Sequence, residues 1–167
     1  MTSCLGRRNV CGALLVALLV SCQRTASPVR TRFPSAEIRI GGQSLTVEVA
    51  CTDEARYQGY RFRAEAPPGT GMLFIFPEKR YLSFTMANTT IPLSIAFIDE
   101  AGVIKQISHM KPLDHRNLTR STFCVPNALE VSQGWFEAHG ISTGDRVEGI
   151  AAIRKAYPPA GEEESES

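Results

Sequence analysis

Four groups of residues in this sequence have types and spacing that chemistry uses. His109, Met110, Asp114, His115 and Cys124 gather imidazole, sulfur and carboxylate groups in one stretch, the mixture that borderline and soft metals take. Their spacing matches no ligand motif, and Lys111 to Arg120 with Pro112 has loop composition, so they are read as loop residues first. Cys124, His109 and Glu130 supply a nucleophile, a base and an acid, which Cys-dependent hydrolases draw from distant parts of a chain; no local signature accompanies them, and only geometry decides. Arg56 and Glu130 offer either a buried ion pair, the default expectation, or a clamp for a ligand carboxylate. Phe84, Met86, Asn88 and Thr89 combine an apolar floor with an amide and a hydroxyl at its edge, the composition of a shallow small-molecule pocket. Each has a plainer reading. A turn Asn more often bonds its own backbone, and the alternation of Met72, Phe74, Phe84 and Met86 more often builds core. No catalytic residue, metal ligand or cofactor is assigned.

The element that must position these groups is the stretch Gly71 to Gly102. It holds apolar runs at Met72–Phe76, Tyr81–Met86 and Ile91–Ile98, separated by Pro77-Glu78-Lys79 and Asn88-Thr89-Thr90, and the pattern predicts a β-meander. Four of the eight Phe and two of the four Met lie in it, so the core centres there.

Upstream, Ile38, Ile40, Leu45, Val47 and Val49 alternate with polar residues on either side of Gly41-Gly42, which predicts a hairpin of two half-buried strands. Thr52-Asp53-Glu54-Ala55 reads as the capped start of a helix of two or three turns. Gly59, placed within that helix, is expected to allow close approach to a strand. Downstream, Val103–Met110 reads as a strand. Phe123–Val131 is strand-like around Pro126, which confines it to an edge or a bulge. Ser132–Gly140 reads as a short helix ending on glycine, and Val147–Ile153 as a last strand. Cys51 and Cys124 are expected to be buried free thiols.

The N-terminus carries Arg7-Arg8 ahead of the apolar run Val10–Val20, which has the length of a signal peptide and is too short for the roughly 20 residues that span a bilayer. Leu19-Val20-Ser21-Cys22 resembles a bacterial lipobox, which implies cleavage before Cys22 and lipid attachment to its sulfur. The expected organisation is a signal peptide over 1–21, a lipidated Cys22 and flexible tether over 22–35, a β-rich domain over 36–156 and a disordered acidic tail over 157–167. Without Arg7 and Arg8 the chain keeps 16 basic residues against 17 acidic ones. It has no Lys/Arg cluster interleaved with aromatics, and nucleic acid is not an expected partner.

The succession Val47-x-Val49-Ala50-x-Thr52, Arg56-x-x-Gly59, Gly71-Met72-Leu73-Phe74-x-Phe76, Phe84-x-Met86-x-Asn88-Thr89-x-Ile91-Pro92-Leu93, Ala128-Leu129-Glu130-Val131-x-x-Gly134 and Gly140-Ile141-x-x-Gly144-Asp145-x-Val147 resembles the bacterial and archaeal family known as domain of unknown function 192. The resemblance covers about residues 45–150 and implies a compact β-rich domain, often exported, with no settled activity. The family pattern has Trp, Lys and Asp where this chain has Thr85, Ala87 and Ser94, and Leu-Met where it has Tyr60-Arg61.

The expected fold is mainly β (α+β), a β-barrel-like or sandwich-like single domain with one or two short helices. The expected function is that of an exported cell-envelope lipoprotein, facing the periplasm or the cell surface. Anchored to the membrane through Cys22, it acts as a binding or accessory module for a small molecule or an envelope protein. A small envelope hydrolase or a metal-binding protein is the alternative. A ligand site is expected on the rim carrying Asn88-Thr89, lined by Phe84, Met86, Asn88 and Thr89, with Arg56 and Glu130 in reach.

Overall fold

The computed structural model describes residues 33–160. The expected signal segment 1–21, the lipid attachment site Cys22, the tether as far as Arg32 and the acidic residues 161–167 lie outside the described residues.

The two alternating runs around Gly41-Gly42 form the expected hairpin, β1 (Ser35–Ile40) and β2 (Gln43–Ala50), antiparallel with Ile40 opposite Gln43. Thr52 then caps α1 (Asp53–Gln58), its Oγ1 accepting a hydrogen bond from the Ala55 N–H at 3.2 Å, with Asp53 and Glu54 in the first turn where the helix dipole favours acids. The chain returns as β3 (Thr70–Phe84), parallel to β2, so α1 is the crossover that a parallel pair requires. There follow β4 (Leu93–Ile98), β5 (Ile104–Met110), β6 (Thr119–Ser132), α2 (Trp135–Ala138), β7 (Val147–Glu148) and α3 (Ile150–Ala156). The seven strands make one sheet in the order β5-β4-β6-β3-β2-β1-β7, curled into a half-barrel. No described helix is long and apolar enough to cross a membrane.

Four local expectations are corrected. The stretch 71–102 is not a meander: β6 lies between β3 and β4 and pairs antiparallel with both. Pro77-Glu78-Lys79 is not a turn between strands but part of a bulge within β3. Ile75 pairs with Asn127 and Arg80 with Val125, so four residues of β3 stand opposite the single residue Pro126. That explains a proline in a central strand, because Pro126 has no N–H to offer and sits where the ladder is already interrupted. The last expected strand is only two residues long. The chain leaves the sheet at Gly149 and forms α3, which buries Ile150 and Ile153; spacing of three at those positions suits a helix as well as alternation suits a strand. The helices therefore number three among the described residues.

Alternation along the strands divides the buried side chains between two faces. Val47, Val49, Leu73, Ile75, Leu129 and Val131 belong to one cluster, closed by Phe136, Ile150 and Ile153 from α2 and α3. Met72, Phe74, Phe76, Ile95, Phe97 and Ala128 belong to the other, with Ala55 and Tyr60 packed over them from α1 and its exit. Glu130, two residues after Ala128 and in register with Met72 on β3 and Ile95 on β4, falls on this second face.

Candidate ligand cleft

On the second face, α1 and the residues that follow it do not close fully against the sheet. They leave a cleft of about 210 Å³. Its walls are aromatic: Phe84 stands edge-on to Phe74 with ring centroids 5.0 Å apart and to Phe76 at 6.4 Å, and tilts against Phe97 at 6.0 Å. Met86 and Thr89 close one side, and Tyr57, Tyr60 and Arg61 overhang the other.

Glu130 lines the cleft at its floor. The residue is 6% exposed, its strand neighbours Met72 and Ile95 are apolar, and no described hydrogen bond or ion pair engages its carboxyl. Among the described residues no buried side-chain oxygen or nitrogen is sealed away without a partner, so the Glu130 oxygens open into the cleft. Burial pushes the carboxyl up to about 8, because removing the charged form from water is unfavourable and no neighbouring cation offsets it. Tyr60 shares the effect. Burial first, and then the Glu130 charge, hold its phenol well above the ordinary value, with Arg63 opposing.

Arg56 does not pair with Glu130, contrary to the default expectation. Its side chain is 7% exposed and bonded to the Asp53 carboxylate at 2.5 Å, to the carbonyls of Cys51 and Ile75, each at 2.9 Å, and to that of Ala160 at 3.2 Å. It ties α1 to β3 and to the chain at Ala160. Its NH1 and NH2 groups are taken by these partners, and Asp53 neutralises its charge. Arg61 at the mouth lies over the Tyr57 ring at 4.3 Å with no carboxylate partner among the described residues. Gly59 lies just past α1 rather than inside it. It is glycine because the backbone there takes φ 47°, and a Cβ would meet the Phe74 ring at an ordinary 3.6 Å.

The rim gathers backbone strain. Three described non-glycine residues have positive φ, Phe62, Asn88 and Leu113, each at 60°, and hydrogen bonds bring their segments together. The Phe62 N–H donates to the Asn88 carbonyl and the Leu113 N–H to that of Thr89, both at 2.9 Å. Phe62 is 76% and Leu113 55% exposed. Such conformations are unfavourable for bulky residues and concentrate at functional sites. Asn88 itself is exposed, does not line the cleft, and its side chain has no hydrogen-bond partner among the described residues. Its part in the turn is the left-handed backbone, not the expected side-chain bond. Asn88→Ala should therefore cost roughly 1 kcal/mol and Asn88→Gly close to nothing, as read by denaturant unfolding. Equal losses in the two variants would show that the amide, not the backbone, holds the turn.

Of the six residues expected in a pocket, five line this one cleft: Phe84, Met86, Thr89, Arg56 and Glu130. Tyr57 and Tyr60, outside the expected set, also line it, as does Arg61; the end of α1 at Gly59 sends Tyr60 and Arg61 back over the sheet. The other constellations do not assemble. No group of three His, Cys, Asp or Glu among the described residues is placed to hold a metal. His109 instead meets the Ser94 hydroxyl at 3.0 Å and Glu137 at 3.3 Å. Cys124 and Glu130 lie six residues apart along β6, roughly 20 Å at strand spacing, so no Cys-His-Glu triad forms. Cys51 and Cys124 are free as expected, but Cys51 is only half-buried and Cys124 is exposed.

A family model described as Uncharacterized ACR, DUF192, matches residues 36–149. The chain belongs to the DUF192 family. Among solved structures it is similar to a candidate transcription regulator from Sinorhizobium meliloti 1021, with 34% identity, a TM-score of 0.67, and 72% of this chain and 98% of that one covered. It is also similar to a protein of unknown function from Novosphingobium aromaticivorans DSM 12444, with 26% identity, a TM-score of 0.68, and 74% and 90% covered. No curated protein matches. Three positions at which this chain departs from the DUF192 pattern, Tyr60, Arg61 and Thr85, line the cleft. A fourth, Ser94, points to the opposite face, where its hydroxyl also accepts the Gly134 N–H at 3.3 Å, so it has no bearing on what the cleft holds.

Proposed function

We propose that this DUF192 member is an exported, lipid-anchored binding module of the cell envelope, whose β-rich domain takes a small ligand in the Glu130 cleft. The observation that carries the ligand reading is Glu130: a buried carboxyl with no partner among the described residues, opening into an aromatic-walled cleft, is the convergent polar group that small-molecule sites use for orientation. The strained rim at Phe62, Asn88 and Leu113 supports it. A hydrolase is the second reading, favoured by a Glu130 carboxyl that burial pushes up to about 8, within the range useful for acid–base work; turnover of a bound ligand would distinguish it.

Thr85 lines the cleft, and Thr85→Trp would fill it. Protein purified from native membranes should carry a small-molecule adduct in native mass spectrometry, and Thr85→Trp should lose it. No adduct, or an adduct that survives the substitution, overturns the ligand reading.

The anchor rests on the Leu19–Cys22 motif and is tested separately. Each buried acyl methylene contributes about 0.8 kcal/mol, and several chains together anchor stably. The full-length protein should enter the detergent phase, and Cys22→Ser should move it to the aqueous phase. Retention of the variant on salt-washed membranes would contradict lipidation.

A further inference from the structure

The chemistry of the cleft narrows what it takes. A ligand head placed at Glu130 meets one carboxyl with no partner among the described residues, beside Phe74, Phe76 and Phe84, with the Tyr60 phenol and the Asp53-neutralised Arg56 on the same lining. A dehydrated cation is the partner that gains most there. A carboxylate attracts it far more strongly in a water-poor site than in solution, and aromatic rings within about 6 Å of a cation add to that attraction. An anion would meet the Glu130 carboxyl itself at the floor, where the four NH1 and NH2 bonds of the Arg56 guanidinium already go to Asp53, Cys51, Ile75 and Ala160, and would have to look to Arg61 at the mouth for a cation. A bare metal ion would find one acidic side chain where hard cations take six or more oxygens. The volume of about 210 Å³, the share of about seven waters at about 30 Å³ each, suits a compact organic head.

Building on the reading of the cleft as a ligand site, we propose that its ligand is a small organic ammonium compound whose cationic head seats against the Glu130 carboxylate beside the Phe84 ring. Below the carboxyl's own titration midpoint the protein holds Glu130 as the acid, so seating the cation breaks the Glu130 O–H bond and releases that proton to water. The ion pair that forms carries no net charge. Binding is thus linked to proton release, and affinity rises by up to about tenfold per pH unit until Glu130 is ionised without ligand.

The test uses three probes of nearly equal shape: choline, the neutral 3,3-dimethyl-1-butanol and the anionic 3,3-dimethylbutyrate. Chemical shifts of the Phe74, Phe84 and Met86 side chains report occupancy. Choline should shift them and bind at least tenfold more tightly at about pH 8 than at about pH 6. Neither isostere should compete, and Glu130→Gln, which keeps the side-chain shape, should abolish both the binding and its pH dependence. Choline binding that survives Glu130→Gln, or that ignores pH, refutes the proposal. Shifts caused by the neutral or anionic probe instead of choline refute the cation while leaving the cleft a ligand site. Absence of shifts with all three refutes the cation proposal and counts against the ligand reading with it.

Discussion

Replacing Glu130 by Gln should make the protein more stable at alkaline pH and leave it nearly unchanged at acid pH. In the unfolded chain the carboxyl ionises near its ordinary value of 4.5, whereas in the folded protein burial moves it to about 8. Between these values the unfolded state has already released its proton and the folded state has not. Stability drawn from the protonated group is therefore complete below about pH 4.5 and is lost progressively as pH rises to about 8. Each unit removes at most about 1.4 kcal/mol, and the whole interval amounts to a few kcal/mol after relaxation of the site. A Gln at the same place has no charge to desolvate and keeps a hydrogen-bonding end toward the cleft. Urea unfolding of both proteins at about pH 5 and about pH 9 measures it. The variant should gain a few kcal/mol over wild type at the higher pH only. A difference independent of pH would mean that Glu130 is hydrated or paired in the folded state.

The second large effect belongs to Gly71, which holds β3 against the strand carrying Glu130. Gly71 is in register with Val131. A Cβ built on it would lie 2.9 Å from the Glu130 carbonyl oxygen, 3.1 Å from Val131 Cγ1 and 3.2 Å from Leu129 Cδ1. The nearest of these is backbone in the centre of the sheet, where yielding would displace the ladder on both sides. Gly71→Ala should cost about 1–3 kcal/mol even though alanine is usually preferred to glycine in a strand. It should also shift the backbone amide resonances of Leu129 to Val131. A neutral or stabilising Gly71→Ala would show that β3 and β6 are further apart at this point.

Phe84 and Met86 were legible together because alternation fixes which side chains share a face, and Thr89 by its place on the same rim, whereas Arg56 and Glu130 entered on charge. Met72 and Phe74 on β3, and Ala128 and Glu130 on β6, obey it. The order of strands was not legible, because nothing local says that β6 inserts between β3 and β4; that pairing is set by how two long, doubly buried strands cover each other's apolar faces. Pro77-Glu78-Lys79 carried turn composition and became a bulge, since a residue that cannot donate, Pro126, waited opposite it. The Arg56–Glu130 pair was drawn from charge alone. Asp53, three residues before Arg56 on the same helix, was the nearer partner and could have been preferred on spacing, and Glu130 would then have stood out as the carboxyl with no cation assigned.

The account turns on that carboxyl, and its titration is the most direct measurement. The side-chain carboxyl carbon of Glu130, assigned by its disappearance in Glu130→Gln, can be followed by carbon-13 NMR as pH is raised on the ligand-free protein. The predicted midpoint is about 8, with the shift changes of Phe84 and Met86 following the same curve. A midpoint in the ordinary carboxylate range, about 4 to 5, would place Glu130 in water or beside a cation and contradict the unpartnered acid at the floor of the cleft.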